Sequence, residues 1–127
     1  MASAEDVERG NFLRVGRDIF KVTRKEVVAV GTHSHTKLKI YMEPIDGGGE
    51  KNFIFNHKDK VDLLDVERRV GQIISKSDDK ITVMDNKSYE TIEVEANHST
   101  FEKAYEGGML FFVTYEGISK ALHVDKE

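Results

Sequence analysis

The chain has 127 residues, enough for one compact domain or two very small ones. Its composition, 39% hydrophobic and 33% charged, is typical of a soluble globular protein and argues against a disordered or membrane-spanning chain. The absence of cysteine excludes disulfides, thiolate metal sites and cysteine nucleophiles. The first six residues lack the basic start and apolar core of a signal peptide, so we expect a cytoplasmic protein with no membrane partner.

The net charge of -4 is distributed unevenly along the chain. Residues 1–66 carry 11 basic and 11 acidic side chains, whereas residues 67–127 carry 8 and 12. Within residues 9–42, eight basic side chains stand against two acidic ones. A local positive field of this kind suits a polyanion such as RNA, and the acidic second half argues against nucleic acid wrapping the whole surface.

Short alternating segments bounded by turn residues predict strands throughout the first half. We expect a disordered start at residues 1–9 because this segment is polar and acidic. The run of glycines at 47–49 predicts a flexible turn, since a phosphate-binding loop would need a following Gly-Lys-Ser/Thr and a helix. The predicted strands are 11–15, 19–23, 26–30, 38–42, 51–56 and 60–65.

The segment from Gly31 to Lys39 predicts the tip of a hairpin between two of these strands. Gly31 can adopt a positive φ, and the Ser and Thr hydroxyls can hydrogen-bond to the local backbone. The polar stretch is longer than a tight turn needs, so we expect a loop held out into solvent, where function tends to reside. The candidate RNA- or ribosome-binding residues of this loop are Gly31, Thr32, His33, Ser34, His35, Lys37 and Lys39. A basic arc precedes them and consists of Arg14, Arg17, Lys21 and Arg24.

After Glu67 the strand pattern restarts. We predict strands at 69–75, 80–85, 89–94, 109–115 and 119–124, and one short helix at 99–105 that begins with a Ser N-cap. Gly71 lies inside the first of these strands, where glycine commonly marks a bulge or a sharp bend. Five strands with a helix between the third and the fourth are typical of a five-stranded Greek-key barrel, the OB-fold. We therefore predict two domains, 1–66 and 67–127, that meet near Val66.

Two stretches carry a resemblance to a known family. The tip Gly-Thr-His-Ser-His-Thr-Lys at 31–37 and the segment Met-Asp-Asn-Lys-Ser-Tyr-Glu-Thr-Ile-Glu-Val at 84–94 resemble translation factor 5A of archaea and eukaryotes. The resemblance covers nearly the whole chain. It implies an all-β protein with an SH3-like barrel followed by an OB-fold, and a ribosome- or RNA-binding role in translation elongation or initiation.

The resemblance also implies a specific modification, from which this chain departs. In the family the tip reads Gly-Lys-His-Gly-His/Ser-Ala-Lys, and its first lysine becomes hypusine, which reaches the peptidyl-transferase region of the ribosome. Here Thr32 stands at that lysine and Ser34 at the family glycine, while Val27 to Val30 replace a basic approach. Hypusine needs a lysine ε-amine to receive its aminobutyl group, so we expect no modification at Thr32.

Other chemistry fits the sequence less well. His33 and His35 are spaced to face one side of a strand, but a metal site would need a further ligand such as His57 or Glu43, and we expect neither metal nor cofactor. Ser34 and His33 lack a nucleophile elbow and a visible oxyanion hole, so we expect no enzyme. The aromatic candidates for base stacking, which more often serve as core residues, are Phe53, Phe55, Phe111 and Phe112.

Two functional hypotheses from different classes remain open. The first is a ribosome- or RNA-binding translation factor that works without hypusine. The second is a paralogue that keeps the fold as a structural or protein-interaction module, with the apolar run Val27 to Val30 as an edge for pairing with a partner or with a second copy.

Overall fold

The computed structural model describes residues 2–29 and 35–125, and the chain divides into two compact units, Met1–Asp65 and Val66–Glu127. Strands dominate both units, and the described residues contain one short α-helix. None of the helical segments in the described part of the chain has the length and apolarity needed to cross a membrane.

The first unit is a six-stranded antiparallel sheet in the order β1-β6-β2-β3-β4-β5. Alternation of apolar and polar residues along these strands buries one face, since successive side chains point to opposite sides. The strands are β1 (Ala2–Ser3), β2 (Phe12–Val15), β3 (Asp18–Ala29), β4 (Thr36–Pro44), β5 (Lys51–Phe55) and β6 (Lys60–Leu64). The buried core of this unit consists of Ala4, Val7, Leu13, Phe20, Val22, Leu38, Ile40, Met42 and Val61.

The start of the chain is ordered, so the expectation of disorder at residues 1–9 was wrong for its described part. Ala2 and Ser3 pair with β6, and Ala4–Asp6 form one turn of 3-10 helix. The Ala4 amide donates to the Asp59 carbonyl at 2.8 Å, and both Ala4 and Val7 are fully buried. The segment is ordered because Ala4 and Val7 are buried, although the acidic residues around them give it the composition of a disordered tail.

Strand β3 is longer than the sequence indicated. Instead of two strands at 19–23 and 26–30, one strand runs from Asp18 to Ala29, with its register against β4 shifting between Val22 and Arg24. Thr23 lies at this irregularity, and its hydroxyl donates to the Glu50 carboxylate at 2.7 Å. The bulge at Thr23 accommodates the break in alternation, so that the two predicted strands form one.

The second unit is a closed barrel in the order β10-β11-β9-β8-β7. Its core consists of Ile73, Ile81, Val83, Val94, Ala104, Leu110, Phe112 and Ala121. The elements are β7 (Glu67–Ser77), β8 (Lys80–Asp85), β9 (Thr91–Glu95), α1 (His98–Lys103), β10 (Met109–Tyr115) and β11 (Ile118–Val124). The predicted fold class, all-β with a five-stranded barrel whose helix lies between the third and fourth strands, is confirmed.

Three local features of the barrel differ from the prediction. Strand β9 begins at Thr91 and not at Tyr89, whose φ of 61° lies in the left-handed region. The N-cap of α1 is Asn97 rather than Ser99, because the Asn97 side chain accepts the Thr100 amide at 2.8 Å. The irregularity in β7 lies between Ile73 and Ser75 and not at Gly71. A Cβ at Gly71 would come within 2.7 Å of the Met84 carbonyl oxygen, so this glycine permits the close approach of β8.

Candidate nucleic-acid interface

The outer part of the β3–β4 hairpin, residues 24–29 and 36–41, is called the arm here. Across it Arg24 pairs with Tyr41, Glu26 with Lys39, and Val28 with Lys37. Register partners in an antiparallel pair project to the same side of the sheet. The three pairs therefore share one face of the arm, while Leu38 and Ile40, which alternate with them on β4, are buried on the other face.

An aromatic ring holds two cations on the face that carries these three pairs. The Arg24 guanidinium carbon lies 4.0 Å from the centre of the Tyr41 ring, and Lys39 Nζ lies 5.2 Å from it. Both distances are within the range of cation–π attraction. Glu26 Oε1 lies 3.2 Å from Arg24 Nη2 and completes the cluster. The arm thus presents two cations, one aromatic ring and one carboxylate within a few ångströms of one another.

The residues predicted for the loop divide between the arm and the part of the chain outside the described residues. Gly31, Thr32, His33 and Ser34 lie outside the described residues, as does Val30. His35 is exposed next to the start of β4, and Lys37 and Lys39 are half-buried within that strand. Lys37 and Lys39 therefore belong to strand β4 of the arm rather than to the loop beyond it.

The basic arc is spread over more of the first unit than the arm covers. Arg14 Nη1 on β2 lies 3.4 Å from the Asp62 carboxylate on β6. Arg17 is exposed at the turn between β2 and β3, and at about 3.3 Å per residue it lies roughly 20 Å along the chain from Arg24. Lys21 lies opposite Glu43 on β4. Of the four arc residues, only Arg24 shares a described cluster with a lysine of the predicted loop.

The arm is tied to its surroundings at its outer end, through Thr36, and near its base, through Lys25. The His57 Nε2 atom and the Thr36 hydroxyl are 2.9 Å apart, and Lys25 Nζ donates to the Glu5 carbonyl at 3.1 Å. Glu5 also forms an ion pair with Lys58. The ordered start of the chain thus braces the strand that carries Arg24.

In the ranges 2–29 and 35–125, no three His, Asp or Glu side chains lie close enough together to hold a metal ion.

The second unit contains a tightly bonded charged pair. Arg69 Nε donates to Asp85 Oδ2 at 2.6 Å, and Asp85 Oδ1 accepts the amides of Lys87 at 2.7 Å and Ser88 at 2.9 Å. The Ser88 amide, followed by Arg69 and the Lys87 amide, lowers the pKa of Asp85 to about 2, although burial opposes the shift. Because the Arg69 charge is balanced by Asp85, this pair stabilises the β8–β9 turn and offers little to an incoming anion.

The aromatic residues considered as stacking platforms are mostly core residues. Phe112 is fully buried, and Phe53 and Phe55 pack against the core of the first unit. Phe111 is half-buried and stacks on the His123 ring, with centroids 4.7 Å apart. Three of the four thus serve packing, as the composition of short strands favours.

Tyr41 and Glu26 are members of the cluster that the sequence pattern did not single out. For Tyr41 the sequence did carry a signal, because the alternation of β4 places residue 41 on the same side as residues 37 and 39. The cross-strand register that brings Arg24 opposite Tyr41 depends on the bulge at Thr23, and the sequence pattern did not show it.

Comparison with known proteins gives a consistent set of relatives, although no protein-family model matches the chain. A translation initiation factor 5A of Natronomonas pharaonis is 31% identical over 87 residues, which cover 68% of this chain and 70% of that protein. One from Metallosphaera sedula is 27% identical over 90 residues, covering 71% of this chain and 69% of its own. The solved structure of translation initiation factor 5A from Methanococcus jannaschii matches with a TM-score of 0.70 at 22% identity, over 98% of this chain and 92% of that one. This last likeness shows the fold.

Proposed function

Because this chain belongs to the translation initiation factor 5A family, we propose that it is a translation factor that binds the ribosome or RNA through its arm and acts without hypusine. The observation that carries the proposal is the cluster of exposed Arg24 and half-buried Lys39 against the Tyr41 ring. We further propose that the protein acts in the cytoplasm, in elongation or initiation, as a binding protein rather than an enzyme.

The cluster suits phosphate contacts. Arginine offers several donors in a planar fork, and the Tyr41 ring restrains Arg24 so that less freedom is lost when an anion binds. Contacts to phosphate oxygens orient a protein on RNA but carry no sequence information. We therefore propose binding that is nearly independent of RNA sequence, with the loop residues Gly31 to His35, Lys37 and the basic arc as further contacts.

Thr32 sets this chain apart within the proposal. A threonine side chain has neither the length nor the charge of hypusine, so it cannot replace hypusine at a phosphate or at RNA. The absence of one charge-assisted hydrogen bond costs about 1.5 to 3 kcal/mol, which corresponds to roughly a tenfold to hundredfold weaker affinity. The proposed function therefore rests on the cations that remain, chiefly Arg24, Lys37 and Lys39.

Co-sedimentation of the full-length protein with ribosomes tests the proposal. We expect pelleting at about 50 mM salt and a large decrease at about 200 mM salt, because each phosphate contact releases counterions. The matched comparison is the Arg24→Ala variant, which removes one of the two cations on Tyr41 and should pellet less at low salt. A protein that stays in the supernatant at low salt would contradict the proposal.

A second candidate function has its own observation. Of the described strands, only β4 pairs with residues 24–29 of β3, and Val27 on this segment is 64% exposed. An open strand edge with an apolar residue can pair with another chain. On this alternative the protein is an interaction module that pairs through Val27 to Val30, and its complexes should persist when the salt concentration is raised.

A further inference from the structure

We propose that the carboxylate of Glu26 occupies the anion site formed by Arg24 and Lys39, and that a phosphate must displace it to bind there. This inference rests on the proposed function and adds a built-in competitor to the same site. On this view a side chain of the arm itself lowers the affinity of the arm for its ligand. The proposed ligand is the phosphodiester group of an RNA backbone.

The position of Glu26 supports the inference. Its Oε1 atom lies 3.2 Å from Arg24 Nη2, within the distance of an ion pair. Glu26 also lies directly opposite Lys39 in the register of the arm, where facing Cβ atoms are about 4.5 to 5.5 Å apart. A carboxylate oxygen and a phosphate oxygen accept the same donors, so the Glu26 carboxylate marks the place that a phosphate would take.

The ring of Tyr41 distinguishes the cations from the carboxylate. Arg24 and Lys39 both lie against this ring, so they remain in place whether the Glu26 carboxylate or a phosphate lies beside Arg24. Glu26 has no such restraint among its described contacts and can turn away into solvent. The arrangement thus combines two positioned cations with one exchangeable anion.

The ion pair is weak enough to be displaced. The side chains of Arg24 and Glu26 are 58% and 40% exposed, and ion pairs at this exposure contribute little to stability. Glu26 nevertheless opposes binding in two ways, because it competes for the guanidinium and repels an approaching phosphate. Removal of one like charge about 5 Å from a phosphate in water corresponds to roughly a fourfold change in affinity, and removal of the competition adds to it.

The test measures binding of the full-length protein to a fluorescently labelled single-stranded RNA of ten uridines by fluorescence anisotropy. We expect Glu26→Gln to lower the Kd by about fourfold to tenfold at low salt, without loss of folding as judged by its melting temperature. The control is Glu8→Gln, which removes the same charge from an exposed position of the same unit and should leave the Kd nearly unchanged.

A double-mutant comparison ties the effect to the cluster. In an Arg24→Ala background, the gain from Glu26→Gln should shrink, because the guanidinium for which Glu26 competes is gone. The inference is overturned if Glu26→Gln binds no tighter than wild type, if Glu8→Gln gains as much, or if the gain is undiminished without Arg24. A wild type that binds in a salt-dependent way while Glu26→Gln gains nothing overturns only the role of Glu26. If neither protein binds this RNA at low salt, both this inference and RNA binding by the arm are overturned.

Discussion

Thr32 is the residue on which the proposed independence from hypusine depends. Its hydroxyl offers no nitrogen that could receive an aminobutyl group, and Lys37 is the next lysine along the chain. We predict that mass spectrometry of the protein from its native source will show an unmodified peptide across residues 30–37. The same peptide from protein made in bacteria is the control for this measurement, and an aminobutyl group on Lys37 would contradict the prediction.

Asp85 is the residue that links stability to pH. Its pKa falls from 3.8 to about 2 in the folded protein, chiefly because it accepts the Ser88 amide. A lowered folded-state pKa contributes stability that is fully present above about pH 4 and is lost as the pH falls towards about 2, since the unfolded chain takes up the proton first. We predict that the free energy of unfolding decreases as the pH is lowered from about 4 to about 2.

The variant Asp85→Asn isolates this contribution. It removes the carboxylate that Arg69 Nε bonds and leaves the Glu90 carboxylate, 3.8 Å from Arg69 Nη2, as the remaining ion-pair partner. We expect a decrease of about 1 to 3 kcal/mol in the free energy of unfolding at neutral pH and a flatter dependence on pH in the acid range. Asp65→Asn, at an exposed position, is the matched control. Urea unfolding at about pH 7, 4 and 3 measures both, and an unchanged pH dependence in Asp85→Asn would contradict the assignment.

At the scale of elements, the segment before β2 is part of the core of the first unit. Val7 is fully buried, whereas Val27 on the arm is 64% exposed, so the two offer the same chemical change in opposite environments. We predict that Val7→Ala lowers the free energy of unfolding by about 1.5 to 3 kcal/mol, and Val27→Ala by less than about 0.5 kcal/mol. Chemical denaturation measures both, and equal effects would indicate that residues 2–7 are not packed.

Most elements could be predicted because their alternation is local. Most strands of both units follow from apolar residues at every second position and from turn residues between them, and the helix of the barrel follows from its N-cap signal. The ordered start was missed because Ala4 and Val7 give no periodic signal, and their burial depends on pairing of the neighbouring residues with β6, which is distant in the sequence. The continuity of β3 was missed because the bulge at Thr23 interrupts the alternation of apolar and polar residues, and this divided the segment into two predicted strands.

The candidate site could be predicted only in part, for the same physical reason. Charge counting drew attention to Arg24, Lys37 and Lys39, since an excess of basic residues is visible in the sequence. Tyr41 and Glu26 depend on which residue faces which across the arm, and that is a property of the register. Sequence patterns fix the side of a strand on which a residue lies more readily than its partner on the next strand.

At the scale of the whole molecule, the charge distribution separates the two units. The proposed first domain, 1–66, has as many basic as acidic side chains and carries the arm, while the proposed second domain, 67–127, is acidic. We expect the second domain to contribute little to phosphate binding. A translation factor 5A with its cations on the arm and without hypusine should therefore depend strongly on two lysines of one strand.

The claim that Lys37 and Lys39 carry much of the phosphate binding is tested most directly by the slope of log affinity for ribosomes against log salt concentration. The measurement uses unmodified protein made in bacteria. Changing Lys37 and Lys39 together to alanine should reduce the slope by roughly 1 to 2 units, because each phosphate that a lysine neutralises contributes about one unit. Changing Lys87 and Lys103, two exposed lysines of the second unit, to alanine removes the same charge and should leave the slope unchanged. Binding that is insensitive to salt and to both pairs of changes would contradict the proposed function.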